Sequence, residues 1–274
     1  MQNCPLMKKR APSCRRYRGS AALPVPHATT SFAGNAIEIA IARLDMRPEA
    51  VPALAQWLSA EERRRADRYD FDRDRRRFII ARARLRQLLA LRLMIRPEAV
   101  ELVYGAHGKP ALAQRSNQTD WRFSVSHCDE MAVYAFSRGR EVGIDIEAIR
   151  EVRDADTIVS QFFSRSEQAA YLALAPAEKM LGFFNCWTRK EAFVKALGHG
   201  LSHPLDCFDV SLAPDKPAGI LRVKNTPGGD AAWSLDSFTP APGFVAAVVA
   251  QRRAPRGQAA AAPHSSLSIA AALR

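Results

Sequence analysis

The feature that most constrains this chain is an order of segments that occurs twice. A strand pattern is followed by helical patterns and then by several short strands, and the same order begins again. The first copy opens at AIEIAIARL, where Ile37, Ile39 and Ile41 alternate with Glu38 and Ala40. Period-two alternation of this kind marks a half-buried strand. Helical stretches over about 50–69 and 73–94 follow; in the second, Phe78, Ala81, Leu85, Leu88 and Leu89 recur at helical spacing with arginines between them. Short strands are expected at 100–104, 121–126, 131–137 and 141–147. In the second copy, Ser164 and Glu167 have the spacing of a capping box and open a helix through Leu172. A longer helix runs from about Ala177 to Leu197 and stops at Gly198 and Gly200. Strands near 206–211, 218–224, 231–237 and 243–250 close the pattern. Helices and strands are clustered rather than alternating, which disfavours a doubly wound parallel sheet. The fold class is α+β, in two pseudo-symmetric halves over 35–138 and 139–252, with no residue-by-residue repeat evident between them.

The chain has 274 residues, 47% of them hydrophobic and 25% charged, which is a globular composition. No apolar run approaches the roughly 18 residues that a membrane span needs, so no membrane partner is expected. The cysteines at 4, 14, 128, 186 and 207 form no CxxC pair. That argues against a disulfide framework or a cysteine zinc site and points to the cytoplasm. The net charge of +12 is unevenly spread: residues 1–34 hold six basic groups and no acid, and residues 251–274 hold four arginines and no acid. Both ends, 1–34 and 253–274, are expected to be disordered tails. Residues 61–86 hold eleven arginines, but Asp67, Asp70, Asp72 and Asp74 interrupt them. Such self-neutralisation is unlike a phosphate-tracking surface, so nucleic acid is not an expected partner. A monomer is expected.

Three segments carry candidate chemistry. In VGIDIE, Val142, Ile144 and Ile146 would face one side of a strand, and Gly143, Asp145 and Glu147 the other. Two carboxylates side by side repel unless they are solvated or share a cation, and oxygen-rich sites suit Mg²⁺. The plain alternative is a solvent-facing strand with two ordinary acids. In WTRKEAFVKALGHG, helical spacing puts Trp187, Lys190, Glu191 and Lys195 on neighbouring faces. Only eight lysines occur in the chain, and two of them fall in this turn and a half. The plain alternative here is a surface helix with a Glu191–Lys195 pair. FSVSHCD closes a strand with Ser126 and His127, and no GxSxG elbow surrounds that pair. GKP supplies a turn with Lys109. No P-loop, GxGxxG or HExxH is present.

In order and spacing, GKP, F-S-V-S-H, V-G-I-D-I-E and W-x-x-K-E-A-x-x-K-A-x-G-x-G-L resemble the 4′-phosphopantetheinyl transferase family. The length and the tryptophan opening the last motif are similar to its larger, pseudo-dimeric class, the type that activates surfactin synthetase. The resemblance implies transfer of the 4′-phosphopantetheine arm of coenzyme A onto a serine of an apo acyl or peptidyl carrier protein, with release of adenosine 3′,5′-bisphosphate. It implies that Asp145, Glu147 and Glu191 hold Mg²⁺ and that Lys195 stabilises or protonates the leaving group. Glu191 is the candidate base. Lys109, Ser126 and His127 would contact the coenzyme A phosphates, Lys190 would belong to the same set, and Arg65 and Arg77, with Arg63 or Arg64, would stand near the 3′-phosphate or adenosine. Cys128 stands where the family commonly has serine. The site would lie in the cleft between the halves, the N-terminal half supplying cations and the C-terminal half the metal. Three converging carboxylates would also repel, so removing Asp145 is expected to leave stability unchanged or raised in the absence of metal.

Overall fold

The computed structural model describes residues 37–114, 119–198, 200, 203–223 and 228–253. The expected tails lie almost wholly outside these residues. The N-terminal half contains β1 (Glu38–Arg43), two short helices α1 (Val51–Ala55) and α2 (Ala60–Ala66), and the long helix α3 (Asp72–Leu93). The hairpin β2 (Leu102–Tyr104) and β3 (Pro110–Leu112) comes next, then β4 (Trp121–Cys128) and β5 (Met131–Arg138). The C-terminal half repeats this with β6 (Val142–Ala148), α4 (Ala155–Phe162), α5 (Arg165–Leu172) and the long helix α6 (Lys179–Leu197). It ends with the pair β7 (Phe208–Val210) and β8 (Ile220–Val223), then β9 (Trp233–Phe238) and β10 (Phe244–Gln251).

The two halves share one topology. Each has a three-stranded antiparallel sheet in which the last strand lies in the middle, β1-β5-β4 in one and β6-β10-β9 in the other. The expected α+β architecture of two pseudo-symmetric halves is therefore found. Two details differ. The single helix expected over 50–69 is broken in two, because Ser59 accepts from the Glu62 amide and the Glu62 carboxylate accepts from the Ser59 amide. This capping box starts a new helix in mid-run. Helix α4, absent from the sequence reading, precedes α5, as α1 precedes α2.

The layers follow from the alternation of apolar residues. Phe78, Ile80, Leu85 and Leu89 of α3 pack with Ala40, Tyr134 and Phe136 on one face of the first sheet. Trp187, Phe193 and Ala196 of α6 pack with Leu235, Ala247 and Val249 on the outer face of the second. Between the sheets lies a shared core of Ile37, Ile39, Val133 and Ala135 against Val142, Ile144, Ile146, Ala246 and Val248. The order of layers is helix, sheet, sheet, helix. Val142, Ile144 and Ile146 face the shared core as expected, so Gly143, Asp145 and Glu147 turn toward α6.

Candidate active site between the halves

Gly143 fixes how close α6 comes to β6. A Cβ at this position would lie 2.0 Å from the Ala192 carbonyl oxygen and 2.4 Å from the Ala196 amide nitrogen. Only a glycine permits that approach, and it brings the Glu191–Lys195 turn onto the face that carries Asp145.

Strand β4 supplies the other wall. Successive strand residues point to opposite faces. Ser124, Ser126 and Cys128 reach the neighbouring strand β6. The Ser124 hydroxyl accepts from the Ile144 amide at 3.1 Å, Ser126 Oγ donates to Asp145 Oδ1 at 2.8 Å, and Cys128 Sγ lies 3.6 Å from Glu147 Oε2. Phe123 and Val125 on the opposite face pack with the α3 layer. His127 is on that face too, where it meets the fields of arginines from the α2–α3 region.

The centre is a three-way contact among elements distant in sequence. Lys195 Nζ donates to Asp145 Oδ1 at 2.6 Å and to Ser126 Oγ at 2.9 Å. Asp145 and Glu147 are both buried, so the solvent-facing strand reading fails. Burial first and the Asp145 charge second push the carboxyls of Glu147 and Glu191 above the usual carboxylate range. Burial alone would lower the Lys195 ammonium; Asp145, Glu191 and Glu147 reverse this and raise it. Removing Asp145 would take from the Lys195 ammonium the carboxylate it touches at 2.6 Å, so a loss of stability is expected in place of a neutral or positive effect.

Two buried carboxylate oxygens, Asp145 Oδ2 and Glu191 Oε1, have no hydrogen-bond partner among the described residues. Unpartnered buried acceptors are costly and uncommon in folded proteins. Among the described residues, no group of three or more His, Cys, Asp or Glu side chains is close enough to form a metal cage. The cation beside Asp145 is Lys195. The two orphaned oxygens are nonetheless hard acidic donors of the kind that suits Mg²⁺.

His127 is half-buried, and its pKa falls to about 4. Burial is the main cause, and the charges of Lys195, Arg82, Arg65 and Arg77 add to it. The fields of these four cations reach the imidazole from α2, α3 and α6. Arg65 and Arg82 also lie over the Phe78 ring, at 5.5 and 5.6 Å. Arg82 was absent from the sequence reading; it is four residues from Phe78 on α3, and that helical spacing was the available signal. One buried nitrogen of Arg82, Nη1, has no hydrogen-bond partner among the described residues. Arg77 is largely engaged, donating to both oxygens of Asp45 at 3.0 and 3.3 Å. An open cavity of about 810 Å³ lies beside it, walled by Leu44, Met46 and Pro48 and by Arg73 and Arg76.

Other expected contacts are not brought here. Arg63 donates to the Leu58 carbonyl at 2.6 Å, and Arg64 is exposed. Lys109 Nζ reaches Glu141 and the carbonyls of Val142 and Ala196 at 3.3–3.4 Å, so it ties the turn to β6 and to the end of α6. Lys190 is a correction. Its side chain is 0% exposed, with its ammonium on Glu167 Oε2 at 2.8 Å and on the Leu205 and Phe208 carbonyls at 2.6 and 2.7 Å. No donor is left for coenzyme A. Trp187 likewise belongs to the core, stacked on Phe183 at 6.3 Å. Cys128 is buried, and its thiol is pushed up to about 12 by burial and by Glu147, so it is held protonated.

Two family profiles match this chain, one over each half. The 4′-phosphopantetheinyl transferase superfamily profile matches residues 141–249, and the 4′-phosphopantetheinyl transferase N-terminal profile matches residues 47–138. The chain belongs to the 4′-phosphopantetheinyl transferase superfamily. Similar proteins include the 4′-phosphopantetheinyl transferase HetI of Nostoc sp., 35% identical over 205 residues, covering 75% of this chain and 83% of that one. The 4′-phosphopantetheinyl transferase Sfp of Bacillus subtilis is 27% identical over 71% of this chain and 82% of its own. The human L-aminoadipate-semialdehyde dehydrogenase-phosphopantetheinyl transferase is 30% identical over 60% of this chain and 58% of its own. The chain is thus an enzyme of the 4′-phosphopantetheinyl transferase class. Among the described residues, no helix is long and apolar enough to cross a membrane.

Proposed function

We propose that this phosphopantetheinyl transferase takes its arm from coenzyme A, attaches it to a serine of an apo acyl or peptidyl carrier protein and releases adenosine 3′,5′-bisphosphate. It works with Mg²⁺, as a cytoplasmic monomer. The observation that carries this reading is the pair of partnerless buried oxygens, Asp145 Oδ2 and Glu191 Oε1, beside the Lys195–Asp145–Ser126 contact. When bound, Mg²⁺ would be held by Asp145, Glu147 and Glu191 and would supply positive charge to the pyrophosphate oxygens.

The protein's own groups have separate duties. The carrier serine oxygen forms a new bond to the phosphorus that bears the pantetheine arm, and the bond from that phosphorus to the bridging oxygen of the adenosine bisphosphate breaks. The serine proton goes to the Glu191 carboxylate. Lys195 stabilises the charge that gathers on the departing phosphate oxygen. Arg65, Arg77 and Arg82, with neutral His127, bind the phosphates at the nucleotide end. The apolar wall of the neighbouring cavity suits the adenosine ring.

Intact mass spectrometry on a panel of apo carriers tests the reading directly. Each carrier that is a substrate gains one phosphopantetheine when incubated with the protein, coenzyme A and Mg²⁺. If no carrier of any class gains that mass from folded protein, the reading fails.

A further inference from the structure

The long helix of each half is held by the same buried device. In the C-terminal half, Glu167 closes the capping box of α5 by accepting from the Ser164 amide at 2.8 Å. The same Oε2 takes the Lys190 ammonium of α6 at 2.8 Å, and Lys190 also donates to the carbonyls of Leu205 and Phe208, which flank a 3₁₀ turn. In the N-terminal half, Glu62 closes the capping box of α2 and takes Arg86 of α3 at 2.7 Å. Arg86 donates to the carbonyls of Pro97 and Val100, which again bracket a 3₁₀ turn, at 3.2 and 2.8 Å. All four side chains are buried, none more than 3% exposed. Each clamp is thus a short-helix carboxylate, a long-helix cation and two carbonyls of the following turn.

We propose that these clamps are positioning elements with separable kinetic duties. The Glu167–Lys190 clamp aligns Glu191 and Lys195 against Asp145 and sets kcat. The Glu62–Arg86 clamp aligns the cations beside His127 and sets the KM for coenzyme A. The inference rests on the functional reading above.

The connections are short. Lys190 directly precedes Glu191, and a helix turns about 100° per residue, so a clamp on one flank of α6 fixes the heading of the next residue. Gly143 leaves no slack between α6 and β6, with backbone atoms of α6 where a Cβ would stand. A small roll of the helix therefore changes the Lys195–Asp145 contact. In the other half, Arg82 is one turn before Arg86, and its Nε lies 3.6 Å from Glu62 Oε1. The clamp carboxylate thus touches a cation that acts on His127. A buried charge loses its solvation and is costly without an opposite charge beside it, which ties each short helix to its long helix.

The test compares kcat and KM for coenzyme A in Lys190→Met, Glu167→Gln, Arg86→Met and Glu62→Gln, with Tm measured for each and Lys195→Ala as reference. Lys190→Met and Glu167→Gln should lose about tenfold or more in kcat with KM within about twofold of wild type. Arg86→Met and Glu62→Gln should raise KM about fivefold or more and leave kcat close to wild type. Lys190→Arg should recover part of the lost kcat. Wild-type kcat and KM in folded variants, the same kinetic pattern from both clamps, or failure of all four to fold at any temperature would overturn the proposal. The last would make the clamps determinants of folding alone. If Lys195→Ala itself keeps full kcat, the functional reading fails; if it is inactive while folded Lys190→Met turns over normally, only this inference fails.

Discussion

Asp145 is the residue on which most of the chemistry converges. It holds Lys195 and Ser126 through one oxygen and leaves the other, Oδ2, without a partner. Asp145→Ala should remove several kcal/mol of transition-state stabilisation, read from kcat/KM, while coenzyme A still binds. The same change should lower stability by about 2 kcal/mol or more, because a largely buried ammonium loses its carboxylate. A denaturant titration showing no loss would mean that Lys195 finds another partner. His127 gives a pH prediction. Its folded pKa of about 4 lies below the ordinary 6.5, so the unfolded chain binds the proton first as pH falls. Stability should drop from pH 6.5 toward 4, and more steeply than in His127→Gln. Equal slopes would show that the imidazole is not held neutral. At the cationic face, Arg65→Ala should raise the KM for coenzyme A about tenfold with little change in kcat. Arg77→Ala should do less, since Asp45 already draws on that guanidinium. The sequence singled out Asp145, Glu191, Lys195, Ser126 and His127, the family resemblance implied their roles, and the structure brings Asp145, Ser126 and Lys195 into direct contact. The sequence misplaced Lys190, because helical spacing says which residues are neighbours and not which flank is buried. Arg82 was hidden among arginines that look alike in composition.

The elements that deliver these residues are α6 and β6, and Gly143 is where they meet. Gly143→Ala would put a methyl into the backbone of α6. Overpacking of this kind costs about 1–3 kcal/mol or more, and relief by shifting the helix would also move Glu191 and Lys195. Both Tm and kcat should fall; a variant that loses Tm alone would mean the helix yields without disturbing the site. Apart from β3, which is three residues long, the strand and long-helix assignments were readable from alternation and from helical recurrence, and the Ser164–Glu167 capping box formed as its spacing predicts. The identical Ser59–Glu62 box was missed because Ala60 and the charged run from Glu61 onward continue the helical pattern without a break. Helix α4 was missed because it is eight residues long, too short for periodicity to stand out.

At the scale of the molecule, the duplication is more detailed than the sequence suggests. The halves share strand order, helix order and a buried clamp, yet the clamp uses arginine in one and lysine in the other. Such substitutions hide a repeat from residue-level comparison while leaving its physics intact. The halves are joined along β4 and β6 by side-chain hydrogen bonds, so Ser124→Ala should cost about 1–3 kcal/mol by leaving the Ile144 amide without its partner. A chain of residues 35–252 should turn over like the full chain, since neither end carries a residue of the proposed site. The central claim is that three carboxylates, two of them from one strand of the second sheet and one from the helix packed on it, work with Mg²⁺. The most direct measurement is carrier modification against Mg²⁺ concentration for wild type, Asp145→Ala and Glu191→Gln. Wild type should need the ion, and both variants should fall far below it at limiting Mg²⁺. Full wild-type turnover in excess chelator, or variants that match wild type at limiting Mg²⁺, would contradict the three-carboxylate site.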